Sequence, residues 1–95
     1  MDVENVFCSR VRMKILKILA QLGELNVSEI ARRLSINYQT AMKHLEILES
    51  EDILQHKKFG RIRLYALNER SPKTRAVQGL LNVWKESEFK SGTSY

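Results

Sequence analysis

The stretch LNVSEIARRLSINYQTAMKHLEILE, residues 25–49, decides the fold of this 95-residue chain. Apolar residues recur at helical spacing in two separate runs, which are Val27, Ile30, Ala31 and Leu34, and then Ala41, Leu45 and Leu48. An asparagine precedes each run as a suitable N-cap, and Glu29 can complete a capping box with Asn26. Because only the short segment 35–37 separates the runs, the pattern predicts a helix-turn-helix whose second helix covers residues 38–50.

A longer helix is predicted before this stretch, over residues 3–22, because its apolar side chains share one face and Gly23 is a suitable C-terminal stop. Cys8 would then be a small apolar group on this first helix. The next helix is expected to end near Leu34, since the polar side chains that follow compete for backbone hydrogen bonds.

The period of the pattern changes after residue 52. Residues 53–57 and 61–67 alternate apolar and polar side chains, which predicts two strands. The segment 58–60 between them has the size of a hairpin turn, with Gly60 free to take positive φ. The alternation places Ile62, Leu64 and Ala66 on one face and Arg61, Arg63 and Tyr65 on the other. We therefore expect a hairpin, the wing of residues 54–67, with a basic outer face.

A final helix is predicted from Ser71 and Pro72, a cap and a first-position proline. Gly79 inside it costs roughly 1 kcal/mol relative to Ala, unless another helix packs closely there. The order of elements indicates an α+β, mostly helical winged helix-turn-helix: three helices, a two-stranded wing and a C-terminal helix. We expect one domain over residues 1–90 and a frayed tail over residues 91–95.

Composition limits what the chain can do. With 43% hydrophobic and 28% charged residues it makes one globular domain, too small for a substrate domain plus a lid. Cys8 is a single cysteine, and His44 and His56 form no spaced ligand set with it, so no metal or cofactor is expected. Without a nucleophile and base pattern or a phosphate loop, we predict no catalytic activity. The acidic N-terminus and the absence of a long apolar run favour a cytoplasmic protein without a membrane partner.

The net charge of +5 favours an anionic partner, and the charge is regional. Residues 57–75 hold seven basic and one acidic side chain, a net +6, whereas residues 26–56 hold three basic and five acidic ones, a net −2. The candidate contacts to a DNA backbone are Ser28, Lys57, Lys58, Arg61 and Arg63. The alternative for the charged strands is a guard that blunts a sheet edge.

On the second helix of the pair, the face opposite the apolar residues is polar and can enter a major groove. Gln39 can pair bidentately with adenine, Lys43 can donate to guanine or phosphate, and Tyr38 can reach a phosphate or a thymine methyl. The candidate base contacts are Tyr38, Gln39, Thr40, Met42 and Lys43. An ordinary solvated face is the alternative, but the position after a three-residue turn favours double-stranded DNA as the partner.

The chain resembles the ArsR family of prokaryotic winged-helix transcriptional regulators in four segments: SRVRMKILKIL (9–19), ELNVSEIARRL (24–34), NYQTAMKHLEILESEDIL (37–54) and RLYAL (63–67). The pattern is also similar to MarR-like regulators. The resemblance implies a homodimer joined by the first and last helices, reading palindromic half-sites. The interface residues would be Val3, Val6, Phe7, Val77, Leu80, Leu81 and Trp84. Core packing is the alternative explanation for this set.

One segment departs from the metal-sensing members of the family, which carry a cysteine pair in a segment resembling ELCVCDL. Here Asn26 and Ser28 stand where those thiolates would be, and their side chains replace soft ligands poorly. Residues 72–90 also lack the histidines of the other familiar sensing site. We therefore expect a homodimeric, sequence-specific DNA-binding regulator without a metal. The alternatives are a winged-helix protein-interaction module and a non-specific, chromatin-like DNA binder.

Overall fold

The computed structural model describes the backbone of residues 1–93 and the side chains of residues 1–88. The helices are α1 (Val3–Phe7), α2 (Arg10–Leu22), α3 (Val27–Leu34), α4 (Tyr38–Ser50) and α5 (Pro72–Thr93), and the strands are β1 (Glu24–Asn26), β2 (Leu54–Phe59) and β3 (Ile62–Leu67). The strands form an antiparallel sheet in the order β1-β3-β2. This architecture confirms the predicted winged helix-turn-helix and adds a short N-terminal helix and a third strand to it.

Helix α5 carries the backbone beyond the point where a frayed tail is predicted. It includes residues 91–93, and residues 94–95 lie outside the described part of the chain. Gly79 lies inside this helix, and no atom lies within 4 Å of the position its Cβ would take. Close packing of another helix in the same copy therefore does not explain this glycine.

The predicted single helix over residues 3–22 is wrong, because the chain breaks it between α1 and α2. Ser9 is extended, with φ −98° and ψ 121°, and its side chain caps α2 by accepting a hydrogen bond from the N–H of Arg12 at 3.2 Å. A serine cap of this kind starts a new helix instead of continuing the old one. Cys8 therefore lies exposed in the break and is not an apolar group on a helix face.

The two asparagine N-caps of the helix-turn-helix form as predicted, but Glu29 does not complete the capping box, because its carboxylate accepts hydrogen bonds from Arg32 and Arg33 instead. The side chain of Asn26 accepts a hydrogen bond from the N–H of Glu29 at 2.8 Å. The side chain of Asn37 accepts from the N–H of Thr40 at 2.7 Å. Each bond satisfies a backbone donor that the first turn of a helix leaves without a partner, so both helices begin where their asparagines stand.

The stop of α3 at Leu34 is confirmed, but its cause is in the backbone and not in competing side chains. Ser35 adopts the left-handed region with φ 55°. This conformation lets the N–H of Ile36 bond to the carbonyl of Ala31 at 3.0 Å, which ends the helix in a Schellman-like arrangement. The tight turn before α4 is therefore held by main-chain hydrogen bonds.

The wing is a hairpin with a turn shorter than predicted. Phe59 pairs with Ile62, so the turn consists of residues 60–61 and not 58–60. Gly60 takes the expected positive φ, 61°, while Arg61 remains outside that region, which is the pattern of a type II′ turn. Strand β1 is only three residues long and runs directly into the cap of α3, so no alternation in the sequence could reveal it.

The two faces of β3 are the reverse of the predicted arrangement. Tyr65 is fully buried and Leu67 nearly so, while Ile62 is 51% exposed. Both sets of alternating residues contain apolar side chains, so the pattern cannot tell which set faces the core. The ring of Tyr65 buries more area than the methyl group of Ala66, and the sheet is oriented accordingly.

The core lies between the helical layer and the buried face of the sheet. Its members from the two layers include Ile15, Leu16, Leu19, Ile30, Leu45, Leu48, Ile53, Leu54 and Tyr65. Helix α5 is attached to this core at its start, because buried Thr74 donates its hydroxyl to the carbonyl of Ile53 at 3.1 Å. Farther along, α5 extends the molecule to a length of 48 Å against 27 and 22 Å in the other directions.

Candidate nucleic-acid interface

Helix α4 has a fixed inward face and an open outward face. Its inward residues, Ala41, Leu45 and Leu48, are fully buried. Burial of three such side chains fixes the rotation of the helix about its own axis, since any other rotation would expose apolar area. The outward residues of α4 are therefore held in one orientation.

The predicted base contacts differ in exposure. Tyr38 is 51% exposed, and Gln39 and Lys43 are exposed beside it. Thr40 is half-buried, and Met42 is half-buried against the core. The structure thus brings Tyr38, Gln39 and Lys43 together on the open face and leaves the other two with less surface to offer.

Helix α3 contributes less free positive charge than its sequence indicates. Both of its arginines contact one carboxylate: Arg33 donates to Glu29 at 2.9 Å, and Arg32 forms a bidentate pair with the same group. The hydrogen bond from Arg32 is the main cause that lowers the pKa of the Glu29 carboxyl. Ser28 is exposed in the first turn of this helix, and the N-terminus of a helix favours contact with a phosphate such as that of a DNA backbone.

A buried arginine joins the N-terminal helix to α4, and the sequence reasoning missed it. Arg12 donates from Nε to the carbonyl of Val6 at 2.8 Å and from Nη2 to that of Asn5 at 2.7 Å, so it satisfies the end of α1. Its Nη1 lies 3.0 Å from Nδ1 of His44. The spacing of Arg12 with Ile15 and the following core residues on α2 is the signal that could have revealed its burial.

The contact with Arg12 determines the charge state of His44. Because a guanidinium only donates hydrogen bonds, Nδ1 of His44 must accept, which requires the neutral ring. Burial, and then the positive charges of Arg12 and Lys43, lower the pKa of the His44 imidazole. His44 therefore packs as a neutral acceptor beneath the open face of α4.

The basic residues of the wing occupy both faces and the tip, which corrects the predicted single basic outer face. Lys58 pairs with Arg63 on the face that carries Tyr65 farther down, whereas Lys57 lies on the opposite face. The ammonium of Lys57 is 3.6 Å from the carboxylate of Glu24. Lys58 and Arg61 are exposed, Arg63 is half-buried, and none of the three forms an ion pair among the described residues.

The base of the wing is connected to α4 by a short polar contact. Nδ1 of His56 lies 2.6 Å from Oε2 of Glu49, and the His56 ring stacks at a tilt on Tyr65 with centroids 5.1 Å apart. The Tyr65 hydroxyl is buried and has no hydrogen-bond partner in the described part of the chain. Burial is the main cause that raises the pKa of this phenol.

The predicted interface set divides into buried and exposed residues. Val6 and Val77 are buried in the core of their own copy, with Phe7 and Leu81 packed against it, so core packing accounts for these four. Three others remain open: Val3, Leu80 and Trp84 are 69%, 53% and 64% exposed. Val83, which the sequence reasoning missed, is 61% exposed beside them on α5. The sequence feature that indicates Val83 is its position on the same side of the helix as Leu80 and Trp84.

The segment that the family resemblance aligns with the cysteine pair of metal sensors does not suit a soft metal here. The Asn26 side chain is occupied as the cap of α3, and Ser28 supplies only a hydroxyl. Cys8 is exposed at the break between α1 and α2. Within the described residues, no three His, Cys, Asp or Glu side chains are grouped so that they could hold a metal ion.

Comparisons with known proteins agree on one family. A sequence profile described as a helix-turn-helix domain matches residues 8–56. The cadmium resistance transcriptional regulatory protein CadC homologue of Staphylococcus aureus is 31% identical over 85 residues, covering 86% of this chain and 70% of the relative. The homodimeric winged helix-turn-helix DNA-binding domain of Mb0332 from Mycobacterium bovis, a possible ArsR-family regulator, superimposes with a TM-score of 0.72 at 26% identity, covering 88% and 75%. The chain is an ArsR-like winged helix-turn-helix transcriptional regulator.

Other ArsR-like and related structures match over similar lengths. Reduced HlyU from Vibrio cholerae has a TM-score of 0.72 at 25% identity and covers 84% of this chain and 81% of its own. The Staphylococcus aureus protein is named as a transcriptional regulatory protein and the Mycobacterium bovis domain as a DNA-binding domain, so both are regulators and not enzymes, which confirms the predicted family and the predicted class of function. Among residues 1–93, no helix combines the length and the apolar character that crossing a membrane requires.

Proposed function

We propose that this regulator binds specific DNA sequences as a homodimer, with α4 in the major groove and the wing of residues 54–67 on the backbone or in the minor groove. The observation that carries the proposal is the open, polar start of α4 on a fully buried support. A helix with its side chains is about 10–12 Å wide and a major groove is about 12 Å wide, so the start of α4 can reach base edges.

Three side chains on this open face have the chemistry of base and phosphate contacts. Gln39 offers an amide that both donates and accepts, as adenine requires, and Lys43 donates to guanine or phosphate. Tyr38 lies in the first turn, where its hydroxyl can donate to a phosphate. Thr40 and Met42 complete the candidate set from the edge of the same face, and Ser28 is the candidate for a backbone contact from α3.

The electrostatic part of binding is assigned to the wing. Lys57, Lys58, Arg61 and Arg63 lie within seven residues that contain no acid. Of these four only Lys57 lies near a carboxylate among the described residues, that of Glu24, whereas both arginines of α3 are paired with Glu29. Each phosphate neutralised by a cation releases counterions and adds to the salt dependence of binding, so the wing should carry most of that dependence.

The dimer is assigned to the exposed apolar side of α5. Val83 and Trp84 lie about one turn after Leu80, and all three are more than half exposed, which is unusual for a helix without a partner. An open groove of about 630 Å³ lies between α2 and α5, and its lining includes Met13 and Ala20 from α2 and Leu80 and Trp84 from α5. The homodimeric state of the Mb0332 domain supports a second copy as the occupant, and Val3 is a further candidate contact.

The name of the Staphylococcus aureus relative associates that protein with cadmium resistance. We propose no soft-metal signal at the equivalent segment of this chain, because Asn26 and Ser28 offer no thiolate. A titration of the protein with Cd²⁺ should produce no thiolate-to-metal charge-transfer absorbance beyond what the thiol of Cys8 contributes. The Cys8→Ser variant is the control that removes any contribution from the single thiol.

Selection of DNA fragments from the organism's own genome, followed by a salt series, tests the DNA-binding proposal. A selected duplex and a scrambled duplex of equal length should show similar salt slopes, with the selected duplex bound more tightly throughout. Equal affinities would support the non-specific binder. Absence of binding at low salt would support the protein-interaction module.

Sedimentation of the protein at micromolar concentration tests the dimer. The Trp84→Glu variant should sediment as a monomer, because it places a charge in an apolar contact. Leu22→Glu is the matched control, since Leu22 is 48% exposed at the end of α2 outside the proposed contact. A wild-type monomer would contradict both the dimer and palindromic half-sites.

A further inference from the structure

The tip of the wing carries an apolar pair that the proposed function does not use. Phe59 and Ile62 face each other across the turn in register and are 60% and 51% exposed. They lie on the face opposite Tyr65 and Leu67, so folding does not cover them. Exposing two large apolar side chains to water at the end of a projecting hairpin is energetically unfavourable.

Stability of the hairpin alone does not require this arrangement. The turn already has the glycine that a type II′ geometry needs, and the register continues to the core through the pairing of His56 with Tyr65 and of Leu54 with Leu67. A polar pair at the tip would satisfy the same ladder and avoid the exposed apolar area.

The surroundings of the pair identify the kind of partner. Lys58 and Arg61 lie next to the apolar side chains in the chain, are exposed, and make no ion pair among the described residues. A partner must therefore offer negative charge on either side of an apolar surface. The minor groove of DNA can offer this composition, because phosphates line both of its edges and a base step that opens exposes apolar base faces between them.

We propose that Phe59 and Ile62 form an apolar wedge that enters a base step from the minor groove, while Lys58 and Arg61 bind the flanking phosphates. This inference rests on the proposed DNA binding and extends it. Insertion unstacks the step and bends the duplex toward the major groove. Because flexible pyrimidine–purine steps deform most easily, the wedge adds a sequence preference at base pairs that α4 does not touch.

A bending experiment tests the wedge. A duplex selected as above carries a donor and an acceptor dye at its two ends and 2-aminopurine at the steps beside the major-groove site. The wild-type protein should raise energy transfer and 2-aminopurine fluorescence together. The Phe59→Ala/Ile62→Ala variant should bind about tenfold more weakly and leave the bound duplex straight and stacked. Phe59→Leu should retain the bend, because leucine can still act as a wedge.

Control variants distinguish the wedge from the proposed DNA binding on which it rests. Leu22→Ala removes an exposed apolar side chain elsewhere and should change neither affinity nor bending. Binding of the wild-type protein without a bend, or an equal bend with the double variant, would overturn the wedge and leave DNA binding intact. Failure to bind any duplex at low salt would overturn both. A change in sedimented mass for the double variant would identify the pair as a contact between copies and overturn the wedge.

Discussion

Helix α4 and the wing are supported in different ways. The inward residues of α4 are fully buried, whereas the outer half of the wing, from Lys57 to Arg63, is held by its own strand pairing and turn. Their charges differ as well, because the helix-turn-helix region is net acidic and the wing is strongly basic. The rigidly supported side chains of α4 and the positive charge of the wing therefore lie in separate parts of this fold.

The two regions are nevertheless joined at the base of the wing. The contact between His56 and Glu49 links the base of β2 to the last turns of α4, next to buried Tyr65. The base of the wing is therefore held against α4, and only the tip of the hairpin projects from the molecule. Substitutions in α4 should act on stability and sequence preference, and those at the tip on affinity and DNA shape.

The largest effect is expected from removing the support of α4. Leu45→Ala should lower the free energy of unfolding by about 2–5 kcal/mol, because it leaves a cavity at a fully buried position. Urea denaturation measures the change. Gln39→Ala on the exposed side of the same helix is the control and should stay within about 0.5 kcal/mol of the wild type. A small loss for Leu45→Ala would remove the contrast between the two regions.

The next effect concerns the charge of the wing. Lys58→Ala/Arg61→Ala should reduce the slope of log affinity against log salt by about 2, which is roughly a fiftyfold weakening at 0.1 M salt. Selected and scrambled duplexes should weaken alike in a fluorescence anisotropy titration. Lys14→Ala, at an exposed lysine of α2 outside the groove assigned to the dimer, is the control. A loss confined to the selected duplex would mean that the wing reads bases.

Sequence preference should respond to α4 instead. Gln39→Ala should lose about 1–3 kcal/mol of discrimination at one base pair in each half-site, because the bidentate amide contact disappears. Affinity for a scrambled duplex should hardly change. A competition series over duplexes with single substitutions measures this. Unchanged preference at every position would exclude Gln39 as a reader.

Replacing each of two glycines with alanine should change the stability in opposite directions. Gly60→Ala should destabilise the protein by about 1–2 kcal/mol, because alanine disfavours the positive φ of the wing turn. Gly79→Ala should stabilise it by up to about 1 kcal/mol, since the site is helical and open. Thermal unfolding compares the two. If Gly79→Ala dissociated the proposed dimer, that glycine would lie in the interface between copies.

The smallest expected effect is a pH dependence of the stability, caused by His44 on α4. The pKa of His44 is lowered by burial and by Arg12 and Lys43, so the unfolded chain takes up a proton before the folded one does. Stability should be fully present above a pH of about 6.5 and fall as the pH drops below it, until His44 also protonates in the folded state. His44→Asn should flatten this fall in unfolding measured between pH 7.5 and 5.5. His56→Gln leaves the contact with Arg12 in place and is the control.

Local signals in the sequence were enough to predict most of the element boundaries. Asn26 and Asn37 cap the helices they precede, and Gly60 takes the positive φ of the turn. These features depend on residues within one turn of each other, so they can be read without knowing the fold. The serine cap at Ser9 is a local signal of the same kind, and it marks the start of α2.

Features that depend on distant partners could not be read in this way. The burial of Tyr65 and the exposure of Ile62 follow from which face of the sheet meets the helices. Val6 and Val77 were candidates for a dimer contact, yet they fill the core of a single copy. A hydrophobic pattern states that a side chain will be buried, but it does not state against which surface.

The sequence by itself therefore determined the helix-turn-helix, its caps, the hairpin and the concentration of positive charge in the wing, because short-range hydrogen bonds and spacing govern them. Only the tertiary structure decided that Arg12 holds α1 and His44 together, that the cations occupy both faces of the wing, and that Phe59 and Ile62 stay exposed at its tip. These three facts arise from long-range packing, where the burial of the largest side chains decides which face turns inward and leaves the remaining groups to the surface.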